Sequence, residues 1–340
     1  MLNIAASAST AAPPPLSADM QVHLLEWIIM ALLVLGLVIV DLVGHVRKAH
    51  EPTMREATSW LIFYVALAVI FGIYVIFRHS PEFSVEFFSV YFTEYSLSVD
   101  NIFIFIIVMT SFRVPRKYQQ KALLYGIVIA LIVRFVFILL GAALLARFGW
   151  IFFFFAIFLL YTAYAQVKEG LEDDETKGDP DEYEPNAITR LTARIFKVTQ
   201  GFVGDKLVVR RSSGFALTPL LLCIVSIGSV DLMFALDSIP ASFGLTRQPF
   251  IIFAANAFAL LGLRQMFFLV DALLGRLVYL NFGLAAILGF IGLKLLLEAF
   301  HSVDMLTFIP VPSALLSLGF VVVILVVTVI ASIIKTRRDE

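Results

Sequence analysis

Residues 94–105 read EYSLSVDNIFIF, placing two carboxylates, Glu94 and Asp100, in a run otherwise suited to lipid. Whether that run crosses a membrane decides the fold. An ionised carboxylate at the centre of a bilayer costs at least about 2.5 kcal/mol, so such residues are rare there and face an interior site when they occur. The surrounding composition indicates the class: of 340 residues, 60% are hydrophobic and 15% charged, and the mean hydropathy is +0.95. Ordinary soluble domains lie far from these values. The chain reads as an all-α polytopic membrane protein.

Outward from that stretch, nine segments are apolar over the length a helix needs to cross a bilayer: 24–45, 58–77, 87–109, 122–146, 148–167, 215–240, 250–270, 276–298 and 314–334. Lys and Arg collect in alternate loops when the spans are correct. Here 19 of the 25 basic residues fall on one side, only Arg78, Arg147 and Arg247 on the other, and Arg134, Arg264 and Lys294 inside spans. The expected orientation has the amino terminus outside and the carboxyl terminus in the cytoplasm. The first 21 residues contain no Lys or Arg, hence no basic region of a secretory signal, and read as a flexible tail that is retained.

The sequence also repeats itself. EYSLSVDNI from Glu94 aligns with DLMFALDSI from Asp231, so that Glu94 and Asp100 correspond to Asp231 and Asp237. Further on, LIVRFVFILL (131–140) aligns with LGLRQMFFLV (261–270), pairing Arg134 with Arg264. Each unit holds three spans, an odd number, so the second enters the membrane from the opposite side. That is the inverted-repeat arrangement of many secondary transporters. The chain therefore divides into an external tail (1–22), two leading helices (23–86), a first repeat (87–167), a cytoplasmic linker (168–213), a second repeat (214–299), and a last helix with a cytoplasmic tail (300–340). The linker starts with EGLEDDETKGDPDEYE, whose charge and Pro/Gly content suit a disordered, solvated segment. Its residues 187–199 suit a short amphipathic helix at the membrane surface.

Five acids are expected at membrane depth within the spans: Asp41, Glu94, Asp100, Asp231 and Asp237. Against the three bases Arg134, Arg264 and Lys294, they leave a formal sum of −2, which one divalent cation would balance. The competing reading is that acids and bases pair to join helices, or that burial keeps some carboxyls protonated. With Ser98, Asn101 and Ser238, the acids form an oxygen-rich set suited to hard or borderline cations such as Mn, Mg or Ca. The five histidines lie at or beyond span ends, and Cys223 is the single cysteine, which disfavours a zinc or copper site and dithiol chemistry. Asn256 can donate to a carboxylate or join the ligands, and Pro240 marks a helix end or an interruption after Asp237. Six residues turn a regular helix through about 600°, so Glu94 and Asp100 do not share a face unless the helix is broken. Neither a basic stripe for nucleic acid nor a nucleotide-binding motif is present, which excludes nucleic-acid binding and disfavours an ATP-driven pump.

EYSLSVDN, FALDSIPA and NAFALLGLR together resemble the TerC family of integral membrane proteins, and its Alx-like branch in particular, over most of the chain from Asp41 in VIVDL onward. The resemblance implies a role in metal-ion homeostasis, with manganese export foremost. By position, it carries the family's acidic motif onto Glu94, Asp100 and Asn101, and onto Asp231, Asp237 and Ser238. Two positions depart: Gly228 stands where a Glu is expected and Ala165 where a Lys is, although its counterpart Lys294 remains. The resulting expectation is an exporter of a divalent cation, Mn2+ first, in a bacterial inner membrane, with the site between the repeats and no further cofactor. Asp100 and Asp237 are its direct ligands, Glu94 and Asp231 ligands or proton carriers, and Asn101 a neutral ligand. Export of a small cationic organic solute is one alternative; a membrane partner protein docking through the 168–213 linker, without transport, is the other.

Overall fold

The computed structural model describes residues 20–43, 53–148, 150–172, 187–195, 198–199, 201–211, 214–271, 279–301, 303, 305–306 and 308–339. The external tail, apart from Met20 and its neighbours, and the acidic run at 173–186 lie outside these residues. Ten helices and one hairpin follow in chain order: α1 (Leu24–Asp41), α2 (Met54–Arg78), α3 (Pro81–Ser111), α4 (Arg116–Arg147), α5 (Ile151–Glu172), α6 (Ala187–Ile195), β1 (Val208–Arg211), β2 (Gly214–Leu217), α7 (Pro219–Leu245), α8 (Pro249–Asp271), α9 (Leu280–His301) and α10 (Ala314–Asp339). Eight of the described helices are long and apolar enough to cross a membrane. The remaining long helix, α3, has 31 residues, about 46 Å of helix, and packs among those eight. The sequence expectation of nine crossings thus corresponds to eight helices of clear transmembrane character plus α3, which carries the acids.

Local chemistry explains where these helices differ from the expected spans. α3 begins six residues before 87 because Ser80 caps it, its side chain accepting from the Phe83 amide, with Pro81 preset for the first turn. Hydropathy alone discounts the first two turns, which hold Glu82 and Glu86. α7 corrects the reading of Pro240: the helix neither ends nor breaks there but runs on to Leu245. Proline removes one amide, so the Leu236 carbonyl loses its helical donor, while packing on both sides carries the helix through. The linker holds the expected short helix, α6, ending at Ile195 rather than 199, and an antiparallel hairpin that hydropathy had no means to show, with Val208 opposite Leu217. Lys121 at the start of α4 ties the linker down through Asp205 at 2.9 Å, holding that carboxyl below its usual range.

α8 forms the centre, its side chains buried almost throughout from Phe250 to Gln265. α3 packs along α8 as α7 packs along α4, α3 touches α9 as α7 touches α5, and α5 runs against α9. Exchanging α3, α4 and α5 for α7, α8 and α9 turns each of these contacts into another of them. The exchange is incomplete, since α7 also meets α9 and α4 meets α5 without comparable counterparts. α1 and α10 are the least buried of the eight membrane-length helices, and α1 lies beside α4 and α8.

Close approach between helices rests on small residues. A Cβ at Gly244 would lie 2.5 Å from Ile291 Cγ2 and 3.0 Å from Leu295 Cγ, whereas a Cβ at Gly36 on α1 meets nothing within 4 Å. Gly244→Ala is expected to cost about 1–3 kcal/mol through overpacking. Gly36→Ala should be neutral or stabilising by up to about 1 kcal/mol, as for glycine in a helix interior. Thermal unfolding of the purified protein in detergent measures both, and an equal midpoint for the two variants would contradict this packing.

Candidate functional site

Four helices converge on one side chain. Arg134, midway along α4, is 1% exposed. Its Nη1 donates to Glu94 Oε2 on α3 at 2.5 Å, to Asn256 Oδ1 on α8 at 2.6 Å and to Ser238 Oγ on α7 at 3.1 Å. Nε and Nη2 donate to the two carboxylate oxygens of Asp231 on α7, each at 3.3 Å. Nη1 has two hydrogens for three acceptors, so one bond is shared. The other Glu94 oxygen accepts from Ser242 Oγ at 3.1 Å. Arginine suits this position because its planar fork serves several oxygens at once and stays charged. With both acids ionised, this buried cluster carries one net negative charge.

The structure thus brings together Glu94 and Asp231, the first acids of the two motifs, and joins them through a base. Reading acids as pairing with bases therefore holds for three of the five: two are taken by Arg134, and Asp41 is taken by Arg264, whose Nη2 donates to Asp41 Oδ1 at 2.7 Å. Counting one base per acid had hidden that a single guanidinium serves two. Two positions change role. Asn256 does not donate to a carboxylate; it accepts from Arg134 and donates to the Ile252 carbonyl at 3.0 Å. Ser238 presents its hydroxyl oxygen to the same arginine. The paired arginines also differ from each other. Arg264 is buried beside Asp41 and Tyr64, yet among the described residues its Nε and Nη1 have no hydrogen-bond partner.

The second acids behave differently. Asp237 is half-buried, receives only a long contact from Thr162 Oγ1 at 3.5 Å, and makes no ion pair among the described residues. The side chain of Asp100 lies outside the described residues. Its neighbours Ser98 and Asn101 are buried, and Ser98 Oγ and Asn101 Nδ2 have no partner among the described residues. Among the described residues, no three of His, Cys, Asp and Glu gather to hold a metal; at the centre the third position is Arg134. Gly228 backs onto α4, where a Cβ would lie 3.0 Å from Ile129 Cγ2, so a larger residue there needs Ile129 to move.

Sequence reasoning named Lys294 but missed the polar residues that surround it at the end of the bundle where α3 begins and α7 and α9 end. Glu86 is buried and accepts from Thr246 Oγ1. Lys294 is buried within electrostatic reach of Glu86 and Glu298. Glu298, the last residue of the expected span 276–298, is nearly buried and pairs with Arg247 at 3.2 Å. The available signal was spacing: Ser238, Ser242 and Thr246 recur every four residues and so lie along one helical face.

The chain belongs to the Integral membrane protein TerC family, whose pattern matches residues 79–340. That match begins after α2, so Asp41 lies before it. An uncharacterized membrane protein of Mycobacterium tuberculosis is 46% identical over 278 residues, covering 82% of this chain and 69% of its own length. An uncharacterized membrane protein of Myxococcus xanthus is 37% identical over 305 residues, 90% of this chain and 91% of its own. The thylakoid membrane protein TERC of Arabidopsis thaliana is 38% identical over 261 residues, 77% of this chain and 66% of its own. No solved structure matches the chain.

Removing Arg134 leaves two buried carboxylates without a counter-charge, which costs about 3–5 kcal/mol. Arg134→Ala is expected to lower the unfolding midpoint sharply. Adding Glu94→Gln and Asp231→Asn to that variant should restore most of the loss, because neutral amides remove the uncompensated charge. A triple variant no more stable than Arg134→Ala would contradict the pairing.

Proposed function

We propose that this protein is a secondary transporter that exports a divalent cation, Mn2+ foremost, through a carboxylate-lined site between two inverted repeats. The observation that carries the reading is the Arg134 cluster, in which acids of both motifs meet on helices of both repeats, buried and with one net negative charge. In this reading Arg134 acts as a tethered cation that neutralises the empty site. Asp237, free of any basic partner among the described residues, is the first carboxylate a cation meets, with Asp100 its counterpart in the other repeat. The unpartnered polar atoms of Ser98 and Asn101 support the same region, since buried polar groups are ordinarily matched unless a ligand or water completes them. An oxygen-only set favours a hard cation.

The distribution of basic residues supports an outward amino terminus in a bacterial inner membrane. The exchange of contacts between the two three-helix units supports rocking of one against the other as the route of alternating access. Family membership supports a membrane function and leaves the cargo to this reading.

Uptake of radioactive manganese into inverted membrane vesicles tests the proposal. The parent should accumulate the metal above empty vesicles, and Asp237→Asn and Asp100→Asn should each lower the rate by at least about tenfold, as loss of a group that holds a metal does. Flux equal to empty vesicles, or unaffected by both variants, would overturn it. Competition by excess lysine instead of other divalent metals would point to a cationic organic cargo.

A further inference from the structure

Beyond the central cluster, a line of buried polar groups runs between α3 and α7 toward one end of the bundle. It begins at Ser238, whose Oγ accepts from Arg134. One turn on, Ser242 Oγ lies within donor distance of both the Ser238 carbonyl, at 2.8 Å, and Glu94 Oε1, at 3.1 Å. One further turn brings Thr246, which caps α7, and its hydroxyl donates to Glu86 Oε2. Glu86 stands on α3 eight residues before Glu94, about 12 Å along the helix. Each of these side chains is buried, so none is an ordinary surface group. The line then opens: Glu298 pairs with Arg247, which is 41% exposed and lies over the Phe152 ring at 4.6 Å.

Lys294 supplies an independent sign. It is 5% exposed and within electrostatic reach of Glu86 and Glu298, yet among the described residues its ammonium makes no hydrogen bond and no ion pair within 4 Å. A buried ammonium ordinarily has close partners. Here it stands more than 4 Å from both acids, acting on them through charge and not through a direct bond.

We infer that Glu86 is a second carboxylate station on the cation path, that Ser242 and Thr246 are the hydroxyls linking it to Glu94, and that Lys294 is its counter-charge when empty. The inference rests on the transport reading and extends it by naming a step after the central site. A divalent cation leaving Glu94 meets hydroxyl and carboxylate oxygens of the type it prefers, then reaches Glu86 close to solvent. Lys294 neutralises Glu86 in the meantime and, having no direct bonds to break, withdraws without cost in hydrogen bonds when the cation arrives. On the orientation argued from the basic residues, this is the outward end, so the step is release.

The test uses the full chain reconstituted in liposomes for manganese flux, and the same preparation in detergent for equilibrium manganese binding. Glu86→Gln should bind manganese within about threefold of the parent but move it at least about tenfold more slowly, with the loss in maximal rate and not in half-saturation. Glu86→Asp should recover part of the rate. Thr246→Val should slow flux in the same direction and Thr246→Ser should not, which keeps the test valid if a Glu86 variant folds poorly. Parental flux in both Glu86→Gln and Thr246→Val, with Glu94→Gln inactive, would overturn the second station and leave the transport reading standing. An inactive parent would overturn transport itself, and the station with it.

Discussion

The bilayer core offers no water to a charged group, and this structure depends on how it answers that constraint at Arg134. One guanidinium satisfies two carboxylates, a hydroxyl and an amide drawn from three other helices. α3, α4, α7 and α8 are thereby fixed in rotation and in depth relative to one another, because the reach of each side chain is short and each bond has a direction. Apolar packing alone fixes neither well, since lipid is as good a neighbour for Leu as another helix is. Two acids and one base also leave a formal negative charge, so the same interaction that orders the helices is the one on which the proposed cation binding rests.

The two arginines show how a repeated sequence reaches unequal ends. Arg134 and Arg264 occupy matching places in the alignment, but only Arg134 reaches the motif acids. Arg264 is held by Asp41, from a helix that precedes both repeats and lies before the family's matched residues. A leading helix thus takes one of two equivalent cations out of the centre. The helix contacts exchange between the units, while the ionic contacts do not. Matching places in the alignment are compatible with this, because an arginine side chain with four freely rotating torsions reaches whichever acid lies near it.

The polar groups also divide the molecule by end. Around α3's start and the ends of α7 and α9, Glu86, Thr246, Lys294, Glu298 and Arg247 continue the central cluster toward solvent. The opposite half of α3 carries Asp100 and the unpartnered Ser98 and Asn101. A carrier needs such a difference between its ends if binding and release are to occur on opposite sides.

Much was legible in the sequence because the bilayer imposes it. Length and hydropathy place the long helices, since backbone groups in lipid must bond within a helix, and the acids of EYSLSVDN and DLMFALDSI stand out because charge is costly there. Helix ends were less legible: Pro81 and Ser80 start α3 earlier than hydropathy suggests, and tertiary packing carries α7 through Pro240. Partnership was not legible at all. Nothing in spacing distinguishes Glu94, held by Arg134, from Asp237, which no base holds among the described residues, or reveals Glu86 beside Thr246. The sequence by itself determined which residues lie in the membrane, because transfer into lipid is a property of each segment. Only the tertiary structure decided which charges meet, because an ion pair depends on distances between helices far apart in the chain.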